Sequence, residues 1–473
     1  MKVPLIAPLP ASLTLDDLIR RLVSQPDAFV LDGGPRSWTF LGFGARRSLR
    51  ATGRTVTHAA WDRPSWTTTV DPLEALRAVH ADWLLAPERA GDPMLPFLGG
   101  AVGMLSYDLG RLLETLPNES QDDLTLPDLA MAWYDVIFAF RDGQGWLVSS
   151  GLPHPPASRE RMALSRLEET LAWLEKAPEP PASFAATGPW QSTFTREQYE
   201  RAIARVQAHI AAGDIYQANL SQRFDAPVSG DPADLYLRLR QANPAPFGAF
   251  LRHSDFTLVS ASPERFLELR DGRVETCPIK GTRPRGKTPA EDEQLARALM
   301  DSPKDRAEHL MIVDLERNDL GRVCETGSVR VPDRFRLEAH PTVWHLVSTV
   351  EGRLRPGLDA VDLIRASFPG GSITGAPKLR AMEILEGLEP TRRGPYTGSI
   401  GYWGLDGSLD LSIVIRTAIV KDDRAYVQVG GGVVADSSAE AEYQETLDKA
   451  AALLRAIDPL LSPTPTEVAC TPS

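Results

Sequence analysis

Two hydrophobic rhythms divide the chain. Before residue 176, a helical stripe runs over Leu15–Leu22. Ala28–Leu31 and Trp38–Leu41 read as short strands around the turn residues Gly33-Gly34-Pro35. Ala132–Arg141 and Gly145–Ser150 predict a hairpin about Asp142-Gly143. After residue 191, helix signals strengthen. Thr195 with Gln198 forms a capping box ahead of the apolar stripe Tyr199, Ile203, Val206 and Ile210, which ends at Gly213. Ser302-Pro303 opens a second helix backed by Met311, Ile312 and Leu315, and Pro377 opens a third that closes at Gly387. Ser437 with Glu440 caps a long last helix to Ile457. Between these lie the strand-like runs Phe256–Ser260, Arg265–Arg270, Ser399–Trp403, Ser408–Val420 and Ala425–Val429. Strands and helices mix without a steady βαβ beat, which predicts an α+β fold with large sheets and helices outside.

The seam between the two rhythms is Lys176–Gln191, rich in Pro, Ala and Ser, and it reads as a linker or exposed crossover. It divides an N-terminal region, 1–175, from a region over 192–457, and 458–473 reads as a disordered tail. Eight of the ten tryptophans lie at or before the end of the seam, which supports the division. There is no internal repeat of 20–50 residues. The length of 473 residues fits two to four structural units.

Charge narrows the function classes. The net charge of -12 argues against a general nucleic-acid or acidic-membrane binder, which needs a basic face. Apolar runs near ten residues are too short to span a bilayer, and Met1–Leu13 lacks the apolar core of a secretory signal. Three scattered cysteines, Cys277, Cys324 and Cys470, offer no zinc framework and suit a reducing, cytoplasmic setting. Lysine is rare: eight lysines stand against 43 arginines, so a lysine in a special place asks for a reason.

Several groupings could carry chemistry. Glu442, Glu445 and Lys449 share one face of the last helix, and Asp305 with Glu308 repeats the paired-carboxylate spacing on the 302 helix. Such pairs suit a hard cation such as Mg²⁺, or are a solvated acidic face. Phe368–Lys378, FPGGSITGAPK, is an anion cradle or a tight turn, and it lacks the Lys-Ser/Thr of a P-loop. Gly430-Gly431-Gly432, between a strand and the last helix, permits close backbone approach to a ligand. Lys280, between Pro278 and Gly281, is a nucleophile if a dry pocket disfavours its charge, or a surface lysine in a basic loop. Glu264 is a general acid or an ion-pair partner, and His345 lies in an apolar run as a core histidine would.

These segments do not stand alone. GDIYQANLSQRF (213–224), SPERFL (262–267), PIKGTRPRG (278–286), AEHLMIVDLERNDLGRV (307–323), FPGGSITGAPK, PYTGSIGYWG (395–404), IVIRTA (413–418) and GGGVVADSSAEAEYQETLDKA (430–450) occur in the order seen in chorismate-utilising enzymes. The resemblance covers about 194–454, and PFLGGAVGMLSYDLGR (96–111) resembles the N-terminal part of some members. It implies large antiparallel sheets packed face to face with helices outside.

The resemblance also assigns roles. It implies Glu308 and Glu445 as Mg²⁺ ligands, with Asp305 and Glu442 holding metal-bound water. It implies Tyr396, Arg416 and the Gly430–Gly432 backbone as the grip on the enolpyruvyl carboxylate, with Ser372 and Lys449 in the same carboxylate-binding shell. Glu264 would be the general acid, and His345 would lie near the departing 4-hydroxyl. Lys280 discriminates within the family: anthranilate-forming members carry Ala there, whereas a lysine marks the branch that aminates C4 of chorismate through a covalent lysine adduct. Gln217 replaces the lysine that activates water in isochorismate- and salicylate-forming members. No glutaminase nucleophile turn is present, so ammonia would come from a separate glutamine amidotransferase in a heterodimer. The Trp-rich N-terminal region resembles a tryptophan-binding part, but Val30-Leu31-Asp32-Gly33 stands near where tryptophan-sensing members carry LLES. Two other readings remain: an anthranilate synthase component I, and a catalytically silent regulatory paralogue.

Overall fold

A computed structural model describes residues 3–85, 95–176, 180–340 and 343–459. Its frame is two large sheets, of thirteen and twelve strands, whose strand pairings are antiparallel. Neither sheet belongs to one half of the chain. Phe29–Asp32 pairs with Phe247–Arg252 in the first sheet, and Gly100–Leu105 pairs with Ser399–Gly404 in the second.

Alternating side chains explain how the sheets stack, because successive residues of a strand face opposite sides. Phe29, Phe40, Ile137 and Ala139 of the first sheet meet Val102, Met104, Ala130, Ala132 and Tyr402 of the second in one shared core. Their neighbours Val30, Leu41, Phe138 and Phe140 turn the other way, towards the helices Leu15–Leu22, Pro232–Ala242 and Ala439–Ile457. On the second sheet, Ala101, Leu105, Leu129 and Met131 turn outward to Pro72–Ala81, Pro303–Gly321 and Ala360–Ser367. The α+β reading and the face-to-face sheets are thus borne out. Among the described residues no helix is long and apolar enough to cross a membrane.

Local signals set several elements correctly. Thr195 and Gln198 form the expected reciprocal cap on Arg196–Ala211. Asp142 (φ 51°) and Gly143 (φ 77°) make the tight turn between Val136–Arg141 and Gln144–Ser149. Ser302 caps Pro303–Gly321.

Two long apolar runs differ from their reading. Ala132–Arg141 is not one strand: Leu129–Tyr134 lies in the second sheet and Val136–Arg141 in the first. The chain crosses between sheets at the buried Asp135, whose carboxylate is held by Arg166 at 3.0 Å. Ser408–Val420 splits likewise into Leu409–Ile413 and Thr417–Lys421, with Arg416 at the crossing (φ 51°). The cap of the last helix also differs. Ser438 stands at the N-cap without a side-chain cap bond, because the Ser437 hydroxyl donates to Glu442 at 2.7 Å.

The seam is partly structured. Ala185–Ala186 and Gln191–Ser192 pair with Gln217–Ser229, and Phe184 and Trp190 are buried. The reading of the tail as disordered concerns 458–473, of which 460–473 lie outside the described residues.

Candidate active site

The candidate residues gather where the Ile279–Pro284 strand, the 303–321 helix, the 439–457 helix and the end of the Arg424–Val433 strand meet. Lys280 is not in a surface loop. It lies in Ile279–Pro284, which pairs with Val343–Arg353 through a register shift between Ile279 and Thr282. That shift seats Gly281 at φ 82°, and a Cβ there would stand 2.9 Å from Leu299 and 3.3 Å from Asp305. Only a glycine lets the strand lie this close to the helix. Lys280, 12% exposed, therefore reaches Glu308, with Nζ 3.4 Å from Oε1.

The three glycines form the floor. They sit inside the Arg424–Val433 strand rather than after it, with Gly430, Gly431 and Gly432 opposite Ser221, Leu220 and Asn219. A Cβ on Gly432 would meet Gln217 Nε2 at 2.1 Å and Glu308 Oε1 at 3.1 Å. One on Gly431 would meet Glu442 at 2.9 Å and Glu445 at 3.6 Å, and one on Gly430 the Tyr396 hydroxyl at 3.0 Å. The bare backbone thus places residues from three other segments around one space. Gln217 is buried and donates to Glu308 Oε1 at 2.8 Å, while its own Oε1 has no partner among the described residues.

Charges in this space are closely matched. Lys449 Nζ donates to the Gly430 carbonyl at 2.8 Å and pairs with Glu445 at 2.6 Å. Burial alone would push the Glu445 carboxyl up, but Lys449, with Lys280 and Lys304 further off, carries it below the usual range. Glu442 goes the other way, raised by burial and by the neighbouring Glu445 charge. Arg416 is desolvated, which loosens its hold on its proton, while Tyr396 and Glu445 oppose that. Burial also raises the Tyr396 hydroxyl. Asp305 is held by Arg283 at 2.7 Å.

Glu264 is buried beside Ile279, the residue before Lys280. Its Oε1 accepts from the Ile279 N–H at 3.3 Å. Burial raises its carboxyl, while Ser372, Lys280 and Lys449 favour the charged form. His345 lies across the strand pair from Thr282, which meets its Nδ1 at 3.0 Å. Burial pushes His345 down to about 4, so it is neutral near pH 7. The FPGGSITGAPK segment is a tight turn, with Gly371–Ile373 as its 3-10 core. Its Lys378 is engaged by Asp319 at 2.6 Å and the Ser367 carbonyl at 2.8 Å.

Two site-supporting groups escaped the sequence. Arg393 is buried and bound to Glu389, and its guanidinium lies 4.7 Å from the Tyr107 ring and 5.8 Å from that of Tyr396. Glu316 lies on the buried face of the 303–321 helix with Ile312, Asp319 and Leu320. An acidic residue in step with buried apolar positions was the available signal.

The comparisons accord with this geometry. A family model described as chorismate binding enzyme matches residues 26–455. The chain belongs to the chorismate-binding enzyme family. It is 45% identical over 443 residues to aminodeoxychorismate synthase component 1 of Klebsiella aerogenes, covering 92% of this chain and 95% of that protein. It is also 45% identical over 382 residues to an anthranilate synthase component 1 of Haloarcula marismortui, covering 78% of each. The crystal structure of anthranilate synthase component I from Streptococcus pneumoniae TIGR4 superposes with a TM-score of 0.77 at 33% identity, over 89% of this chain and 93% of that one.

For a chorismate-binding enzyme that uses Mg²⁺, the donors are of the right kind. Glu308, Glu442 and Glu445 offer hard oxygens, and Mg²⁺ takes one or two carboxylates with water and substrate oxygens. Among the described residues no group of three His, Cys, Asp or Glu stands ready to hold an ion alone. The space over the glycine floor is sensitive at Gly432. Gly432→Ala is expected to displace Gln217 from Glu308 and raise the KM for chorismate about tenfold, the worth of one hydrogen bond to a charged group. Steady-state kinetics beside an unchanged circular dichroism spectrum checks this.

A separate cavity of about 1220 Å³ opens beside Trp38, Phe40, Phe247 and Tyr402. None of the residues assigned to chemistry lines it.

Proposed function

We propose that the protein converts chorismate and ammonia into 4-amino-4-deoxychorismate, on the route to p-aminobenzoate and folate. The observation that carries this reading is Lys280, drawn by the shifted strand into the chorismate site beside Glu308, with Glu264 against the preceding residue, Ile279. Relatives named aminodeoxychorismate synthase component 1 support it.

The residues divide the work. Arg416 and Tyr396 grip the enolpyruvyl carboxylate over the Gly430–Gly432 floor, with Ser372 and Lys449 beside them. Lys280, as the neutral amine, forms a bond to C2 as the ring double bond shifts and the C4–O bond breaks. Glu264 gives its proton to the departing hydroxide, which leaves as water. The adduct's ammonium nitrogen returns a proton to Glu264. Ammonia then bonds to C4, the double bond shifts back, and the C2–N bond breaks. The proton that ammonia brings ends on the lysine nitrogen. Neutral His345 lies near the departing oxygen. Glu308 and Glu445 would hold Mg²⁺, with Asp305 and Glu442 outside them, and the ion would supply charge neutralisation at the ring carboxylate.

The name component 1 on the relatives supports a separate partner. We assign that partner the glutaminase role, because none of the three cysteines lies in a nucleophile turn. We place the protein in the cytoplasm. Tryptophan is assigned to the cavity beside Trp38 and Phe40, whose aromatic walls suit an indole.

Product analysis tests the reading. With chorismate, Mg²⁺ and ammonia, the expected product is 4-amino-4-deoxychorismate without pyruvate. Pyruvate with fluorescent anthranilate would overturn it in favour of anthranilate synthase, and intact chorismate in favour of a silent paralogue.

A further inference from the structure

Lys280 sits at a break in its strand, and a buried histidine stands against that break. Ile279 pairs with Val347 and Thr282 with His345, so Lys280 and Gly281 fall in the irregular step between them. The Val343–Arg353 strand is irregular on its other edge too. There Asp333 pairs with Thr349 and Arg336 with Val347, and Phe335, in the gap, is left-handed at φ 60°. A bulky residue in that region is strained, and such strain gathers where function needs a fixed shape.

His309, next to Glu308 on the 303–321 helix, is wholly buried where the two irregular steps meet. Its Nε2 lies 2.7 Å from the Ser348 hydroxyl oxygen, and that oxygen accepts the Phe335 N–H at 3.1 Å. The His309 and Phe335 rings lie 5.5 Å apart. Ser348 is also fastened to the lysine strand, its N–H donating to the Pro278 carbonyl at 3.3 Å.

The donors take one consistent order. The Ser348 oxygen receives the Phe335 proton, so its own hydroxyl proton points to His309 Nε2. A wholly buried imidazole is neutral, and one that accepts at Nε2 carries its proton on Nδ1. That Nδ1 is buried and makes no hydrogen bond among the described residues, and the Lys280 carbonyl is the backbone acceptor that bears on the ring. A buried N–H is costly to leave without an acceptor, which draws the ring and the Lys280 backbone together.

We propose that His309 is a positioning residue for the lysine step. It spans the break between the two strands and holds the Lys280 backbone in the turn that sends Nζ into the site. The inference rests on the reading of Lys280 as the nucleophile. Glu308 meets the lysine's side chain from the helix, and His309, one residue on, meets its backbone. The effect falls on kcat rather than on chorismate binding, because Tyr396, Arg416 and the glycine floor, assigned to the carboxylate grip, come from other segments.

Two amides separate the two ring nitrogens. Asn places its amide where Nδ1 stands, and Gln places its amide where Nε2 stands. The test is steady-state turnover by the full chain with chorismate, Mg²⁺ and saturating ammonia. His309→Gln keeps the Ser348 contact but loses the donor facing Lys280, so kcat is expected to fall about tenfold while the KM for chorismate stays within about twofold. His309→Asn keeps that donor and should stay within about threefold of the native kcat. A native kcat in His309→Gln overturns the proposal, as does an equal loss in both variants or a loss that appears in KM, the marks of a purely structural role. If neither amide variant folds, Ser348→Ala, which frees the ring from its strand, should lower kcat about threefold at unchanged KM, and a native kcat there overturns the proposal. Lys280→Ala is measured alongside. If it keeps the native rate, the lysine reading fails whatever His309 does. If it is slow and His309→Gln is not, the role of His309 alone falls.

Discussion

Lys280→Ala is expected to lower the rate of 4-amino-4-deoxychorismate formation from chorismate and ammonia by about three to four orders of magnitude, the usual cost of removing a covalent nucleophile. The site would otherwise survive. Among the described residues Lys280 pairs with one carboxylate, the partly buried Glu308 at 3.4 Å, and the strand around it is fixed by backbone pairing and Gly281. Chorismate affinity, read by equilibrium titration, should change far less than kcat. The attack needs the nitrogen lone pair, so Lys280→Arg, whose guanidinium keeps its charge, should be as slow as the alanine variant. A native-like rate in Lys280→Ala would show that ammonia adds directly and would remove the lysine adduct from the reaction.

The second large effect is on folding. Arg393 and Glu389 are both buried, at 2% and 6% side-chain exposure, and are joined by two hydrogen bonds of 2.7 and 2.8 Å. Arg393 also donates to the carbonyls of Asn219 and Ile373, and Glu389 accepts from both the Ser221 N–H and hydroxyl. Arg393→Ala leaves the Glu389 charge buried without its cation, at a cost of about 3–5 kcal/mol. The midpoint of urea unfolding measures this. The double variant Arg393→Ala/Glu389→Gln should regain part of the loss, since it removes the stranded charge. If it is no more stable than the single variant, lost packing against Tyr107 and Tyr396 is the cause instead.

What the sequence disclosed depended on how far apart the partners are. The Thr195 cap, the Asp142-Gly143 turn and the Ser302 start are contained within a few residues and were legible. The crossings at Asp135 and Arg416 were not. An apolar run carries the same alternation whichever sheet it joins, so only packing decides where it changes sheet. The site followed the same rule. Lys280 stood out because lysine is rare here and its neighbours match a family motif, and the paired carboxylates showed at helical spacing. Glu316 and Arg393 stayed hidden because their partners, Thr276, Asn219 and Tyr396, are brought to them only by the folded sheets. The glycine triplet was seen, but its place inside a strand was not, because Val433 continues the pairing beyond it.

The sharing of both sheets across residues 176–191 bears on how such a molecule could arise and be divided. A protease nicking that stretch would separate the chain but not the architecture, since each half holds the other's strand edges. Phe247–Arg252 is bordered by Phe29–Asp32, and Ser399–Gly404 by Gly100–Leu105. Without those borders, the half that carries the chemistry would present two long unpaired edges. The N-terminal half is in that sense a covalently attached subunit: it contributes none of the assigned reacting groups, yet the sheet holding Lys280 and the strand leading into Arg416 continue through it.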